Sequence, residues 1–232
     1  EGVKKAYKKF VKHFHNATIQ ENIKNSKEEE YQGPFLTDLF VTVLGYTMKP
    51  QPKFNLVAEQ KNQTNSRKSD GAILKDETAI AVIELKGTKT KDLKSITEQA
   101  FGYKANQKGC VYVITSNYEK LRFYINDATE YLEFNLFTLS ETDFELLYLC
   151  TSIASIFLDL FTKIKTESLV KEEQITKEFY KDYSVFKREL YRDLVKLNAK
   201  NLKTPRETEL VNATLEDEEL QKELAQLEKN VK

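Results

Sequence analysis

Five residues of this 232-residue chain are of types and spacings that could do chemistry: Asp70, Glu84, Lys86, Gln99 and Tyr103. Glu84 and Lys86 close the run AVIELKG (81–87), which begins like the buried centre of a sheet. Strand side chains alternate faces, so Val82, Glu84 and Lys86 share one side while Ala81, Ile83 and Leu85 occupy the other. A carboxylate and an ammonium are thus offered to the same space at the end of a strand apolar on both sides, where burial without partners costs several kcal/mol. Asp70 heads the preceding run, SDGAIL (69–74), and adds a third charge. Either these groups compensate one another as a structural ion pair, or they are gathered to be used.

The elements that must position them follow from periodicity. KDET (75–78) turns the two runs into an antiparallel hairpin. A regular hairpin pairing Leu74 with Ala79 would set Asp70 opposite Ile83, on the wrong face from Glu84. A shared site therefore requires a one-residue offset, and Gly71 is the expected bulge, because glycine tolerates unusual backbone angles. Residues 92–106 show helical spacing, and on that helix Gln99 and Tyr103 stand at i and i+4, on one side. The runs 69–74, 79–86, 109–115, 121–126 and 131–136 are short, rich in β-branched and aromatic residues, and expected in one sheet.

Helices are expected around that sheet. PFLTDLFVTVLGY (34–46) predicts a core helix opened by Pro34 and stopped by Gly45. Val3, Tyr7, Phe10, Val11 and Phe14 predict an amphipathic helix; Lys4, Lys5, Lys8, Lys9 and Lys12 give it a basic face, either solvated or set against nucleic-acid phosphates. Beyond residue 141 all periodicity is helical, with helices expected over 143–165 and about 171–199. A capping box at Thr204-Pro205-Arg206-Glu207 marks a later helix start, and Leu220, Leu224, Leu227 and Val231 suit docking on neighbouring helices. The expected class is α/β: a mixed central sheet flanked by helices over 1–140, then an all-helical extension over 141–232.

Composition sets the outer limits. With 36 basic and 36 acidic residues the formal charge is zero, which neither supports nor excludes a nucleic-acid partner; placement of charge decides. Cys110 and Cys150 lie in apolar runs and are expected as buried reduced thiols, which suits a reducing cytosol. The apolar stretch Leu146 to Leu158 is bracketed by Glu145 and Asp159 and is shorter than the roughly 20 residues of a membrane helix, so a core helix and no membrane are expected. His13 and His15 lack metal-site spacing and receive no catalytic part. The chain opens on Glu1, not Met, which predicts a piece of a longer polypeptide.

Asp70 followed by Glu84-x-Lys86 across a hairpin resembles the catalytic signature of the PD-(D/E)xK nuclease superfamily, with Ser69 where that family has proline. Gln99 and Tyr103, the former 13 residues beyond Lys86, look like the QxxxY motif of its RecB-like branch. Together with PFLTDLFVTVLGY, EQAFGY and ITKEFYKDYSVFKRELYRDLVKLN (175–198), most of residues 28–200 resembles the N-terminal nuclease region of type IIG restriction-modification enzymes.

That resemblance implies a restriction-endonuclease-like core that hydrolyses double-stranded DNA with Mg²⁺, Mn²⁺ substituting, in the cytoplasm of a prokaryote. Asp70, Glu84 and the Leu85 carbonyl are the implied metal ligands. Lys86 is expected to orient and help deprotonate the attacking water and to offset phosphate charge, and Gln99 and Tyr103 to assist by hydrogen bonding. The branch often adds a glutamate from the first core helix; of Glu28, Glu29 and Glu30, position favours Glu30. Lys61, Arg67 and Lys68 precede the Asp70 run as an exposed loop or as phosphate contacts. An adenine methyltransferase and a target-recognition domain are implied elsewhere in the full-length polypeptide; their Gly-rich loop and Asn-Pro-Pro-aromatic motif are absent from these residues. The nuclease domain of a type I restriction motor subunit carries the same motifs, and a noncatalytic DNA-binding or assembly module would keep the same fold.

Overall fold

The computed structural model describes residues 2–62 and 67–199. Apolar spacing makes helix α1 (Gly2–Phe14) as expected: Phe10 and Phe14 are fully buried and the five lysines stay on the outside. Asn16 caps α2 (Ala17–Asn25), its side chain accepting from the backbone N–H groups of Thr18 and Ile19. Helix α3 (Glu28–Phe35) continues into a π-helical stretch, Leu36–Val43, which ends before Gly45 at φ +89°. The expected start at Pro34 is thus six residues late. Three glutamates in the first turn favour an earlier start through the helix dipole, and a widened spiral takes over two residues after Pro34.

Six strands follow: β1 (Leu56–Lys61), β2 (Lys68–Lys75), β3 (Thr78–Leu85), β4 (Tyr112–Ser116), β5 (Lys120–Ile125) and β6 (Tyr131–Asn135). They lie in one sheet in chain order. All pair antiparallel except β3 with β4, which run parallel because helix α4 (Lys94–Lys104) crosses between them. The five expected strands are all present. β1 was not expected: only Leu56 and Val57 are buried along it, so this edge strand lacks an alternating apolar signal.

One sheet face, through Ile73, Ile83, Leu85, Ile114 and Phe123, packs on α1, α3 and helix α5 (Glu141–Thr151), joined by Phe10, Phe35, Leu39 and Phe144. The other face packs α4 over Val82, Val113 and Tyr124 through Ala100 and Tyr103. The hydroxyls of Thr97 and Tyr124, 2.7 Å apart, pin that helix. The chain is therefore α/β, a mixed six-stranded sheet flanked by helices with a C-terminal helix.

The helix expected over 143–165 is three pieces: α5, α6 (Ile153–Phe157) and the start of α7 (Leu160–Ala199), which also takes in the segment expected from 171. Ser152 is extended and Asp159 has φ +54°, which ends each piece. Phe144, Leu147, Cys150 and Ile156 sit in the main core, so the compact unit runs through Lys163 and the expected boundary at residue 140 falls inside it. The capping box at 204–207 and the leucines beyond it lie outside the described residues. Cys110 and Cys150 are buried free thiols. Among the described residues no single helix is long and apolar enough to cross a membrane.

Candidate active site

At its turn the β2–β3 hairpin pairs Lys75 with Thr78 and Leu74 with Ala79, but the next pair is Ile73 with Ala81. Ile80 is thus an extra residue in β3, and it packs on the same core as Ala81. Beyond it Ala72 faces Val82 and Gly71 faces Ile83, which brings Asp70 level with Glu84. The offset a shared site needs is present, but Ile80 makes it and Gly71 does not. Two adjacent apolar side chains can both enter the broad core there. Gly71 stays in regular pairing, and its missing side chain admits Leu36: a Cβ would stand 3.3 Å from Leu36 Cδ2 and 3.4 Å from the Val57 carbonyl oxygen.

Four charged groups meet at the end of β3. Asp70 Oδ2 accepts the Leu85 N–H at 2.7 Å. Lys86 Nζ donates to Glu84 Oε1 and Glu28 Oε1, both at 3.2 Å, and to the Leu85 carbonyl at 3.0 Å. Glu28 Oε2 accepts the Gly87 N–H at 3.1 Å. Asp70, Glu84 and Lys86 are therefore brought together as expected from the sequence.

The helical glutamate at the cluster is Glu28, and the position-based choice of Glu30 is corrected. Glu30 folds back to accept the Lys27 N–H at 2.9 Å, the reciprocal half of a capping arrangement. That cap was a usable signal: a helix starting after Lys27 puts Glu30 at the position that satisfies its own N-terminus and leaves Glu28 free. The backbone of Glu28 is fixed by Tyr118, whose hydroxyl donates to its carbonyl at 3.0 Å and whose ring packs on Tyr31 and Phe35. Tyr118, with φ +70°, lies in the β4–β5 turn, and no sequence motif marked it.

Gln99 and Tyr103 share one side of α4, and Gln99 Nε2 donates to the Tyr103 hydroxyl at 3.1 Å. Tyr103 packs with Val82 on the sheet face that carries Glu84. Neither residue hydrogen-bonds Asp70, Glu84 or Lys86. Lys61, Arg67 and Lys68 are exposed, with Lys68 Nζ 2.8 Å from Glu59 Oε2. His13 is tied to Tyr31 and Asp38 at 3.0 and 3.2 Å, a structural role.

Burial sets the electrostatics. Glu84 is 1% exposed. Burial, then the neighbouring Asp70 charge, pushes its carboxyl up to about 7, against the opposing pull of Lys86. Burial also raises Asp70, opposed by the Leu85 N–H and Lys86. For Lys86 burial works downward, but Glu84 and Asp70 outweigh it and hold the group above its ordinary value, so it is an ammonium at neutral pH.

One atom of the cluster has no protein partner: Glu84 Oε2 is buried and makes no hydrogen bond. A buried acceptor left unsatisfied costs about 1–3 kcal/mol. A hard cation beside Asp70 would answer both the orphaned oxygen and the crowded negative charge. Asp70, Glu84 and the Leu85 carbonyl suit Mg²⁺, which binds through one or two carboxylates and keeps several waters. Among the described residues no three His, Cys, Asp or Glu side chains gather into a group that could hold a metal ion by themselves. No family model, curated protein or solved structure matches this chain, so the site rests on its own geometry.

Proposed function

We propose that this chain is a Mg²⁺-dependent DNA endonuclease domain with a restriction-endonuclease-like core, belonging to a type IIG restriction-modification enzyme. The observation that carries this reading is the buried, unpartnered Glu84 Oε2 beside the Asp70 carboxylate, with an ammonium in reach. The order of elements supports it: α3, three antiparallel strands bearing Asp70 and Glu84-x-Lys86, then α4 with Gln99 and Tyr103, then a parallel strand.

Asp70 is aimed by the Leu85 N–H and Glu84 by Lys86, so two carboxylates are set in place before any ligand arrives. When bound, Mg²⁺ supplies a more acidic water and neutralises charge on the attacked phosphate. Lys86 stabilises that charge and orients the nucleophilic water. Its raised pKa favours this donor role over taking the proton, a narrowing of the role expected from sequence. Glu28 also holds Lys86 in place, accepting from its Nζ at 3.2 Å. Gln99 and Tyr103 act one step out, Tyr103 by packing on the strand and Gln99 as an exposed donor for a nucleic-acid backbone. The partners are double-stranded DNA and, in the same polypeptide, an adenine methyltransferase and a target-recognition domain, in a prokaryotic cytoplasm.

Nicking of supercoiled plasmid by the whole chain tests the proposal. Cleavage is expected with Mg²⁺ or Mn²⁺ and not with EDTA, and Asp70→Asn, Glu84→Gln and Lys86→Ala should each abolish it while DNA binding persists. Cleavage by Asp70→Asn at the wild-type level, or a full-length wild type that binds DNA yet fails to cleave it with any divalent cation, would overturn it.

A further inference from the structure

Glu84 Oε2 has a neighbour in the same condition. Thr115 on β4 is fully buried, and its Oγ1 also lacks a hydrogen-bond partner. Parallel pairing sets Thr115 beside Glu84. Registered neighbours in a sheet project to the same face. Two residues earlier the pair Val82 and Val113 obeys this, both packing under α4.

The other flank of Thr115 is closed. Arg122 is registered beside it on β5, but Arg122 Nε donates to Glu133 at 2.7 Å and its guanidinium lies 4.3 Å from the Tyr131 ring centroid. The next residue along β4, Ser116, shows what a settled buried hydroxyl looks like here: its Oγ donates to the Lys120 carbonyl at 2.7 Å. Valine would fill the Thr115 position with the same shape and no polar cost. The hydroxyl therefore earns its place only through the carboxylate beside it.

We propose that Thr115 is a positioning residue of the Asp70–Glu84 site, its Oγ1 donating to Glu84, directly or through one ordered water, and fixing the carboxylate when a divalent cation is held. The inference rests on the metal-binding reading above, and adds to it a residue that no motif contains. Hydrogen-bond partners of metal ligands commonly govern affinity by 10- to 100-fold.

Mn²⁺ binding to the whole chain, followed by the EPR signal of the free ion, tests this without cleavage. Thr115→Val should weaken Mn²⁺ binding about tenfold or more, with a metal-free melting temperature at or above wild type. Thr115→Ser, which restores the hydroxyl, should bind within about twofold of wild type. Equal binding by wild type and Thr115→Val overturns the role of Thr115 alone, provided Asp70→Asn binds weakly. Weak binding by both Thr115 variants assigns the loss to packing and also overturns it. No binding by wild type removes the metal reading and this inference together.

Discussion

Replacing Glu84 with glutamine should make the metal-free protein more stable at pH 8 and less stable, by about 1 kcal/mol, at pH 4, where only the unpaired amide counts. The carboxyl rises from 4.5 to about 7 on folding, chiefly because it is buried. Two and a half pH units at about 1.4 kcal/mol each give a penalty of about 3.5 kcal/mol for the charged form in the folded protein. The native state holds this proton more tightly than the unfolded chain does. Its stabilising contribution is therefore complete below pH 4.5 and is lost as pH rises through 7. Glutamine imitates the protonated state at every pH, although its amide leaves one polar atom near Oε2 unpaired, at a cost of about 1 kcal/mol. The expected net gain at pH 8 is about 2.5 kcal/mol. Urea unfolding of both proteins in EDTA at pH 4, 6 and 8 measures it as a difference, which cancels the other carboxylates. A Glu84→Gln protein less stable than wild type at pH 8 would show that Glu84 is a net favourable partner of Lys86, and would refute the account of a site held under charge strain.

Saturating Mg²⁺ should stabilise wild type at pH 8, by about 2.7 kcal/mol at a hundredfold excess over Kd, and Asp70→Asn should lose the effect; thermal melts with and without Mg²⁺ check it. Glu28→Ala should lower cleavage strongly by releasing Lys86, whereas Glu30→Ala should keep cleavage and cost about 0.5–1 kcal/mol at the helix cap; paired nicking and denaturation assays separate the two. Phe10→Ala should cost about 3–5 kcal/mol, because Phe10 is fully buried against Phe14 and Phe144; denaturant titration measures the loss.

The parts of this fold that were legible in sequence are those where burial imposes a period. Strands β2 to β6, the α4 crossover and α1 all show such a period, and each lies within a few residues of its expected place. β1 was hidden because an edge strand with two buried residues carries no repeating pattern. The break at Ser152 was hidden because an apolar run reads the same whether its helix is continuous or capped midway. For the site, Asp70, Glu84 and Lys86 could be picked out because charge at the end of an apolar strand is costly unless it finds a partner. The choice among Glu28, Glu29 and Glu30 depended on where α3 begins, and one residue of difference decides which carboxylate caps the helix and which faces Lys86. Thr115 carried no signal in its own strand. Its meaning comes from the residue beside it across a parallel ladder, a neighbour 31 positions earlier in the chain.

The surplus residue at Ile80 makes the meeting of the two carboxylates a matter of parity. If that bulge were ironed flat with every residue retained, Leu74 would still meet Ala79, yet Asp70 would arrive opposite Ile83, with the sheet itself standing between it and Glu84. No halfway arrangement exists, since a side chain on a pleated ribbon points up or down. Whatever chemistry this hairpin performs is consequently guarded by an aliphatic side chain near its far end, where an alignment of catalytic motifs would give no reason to look.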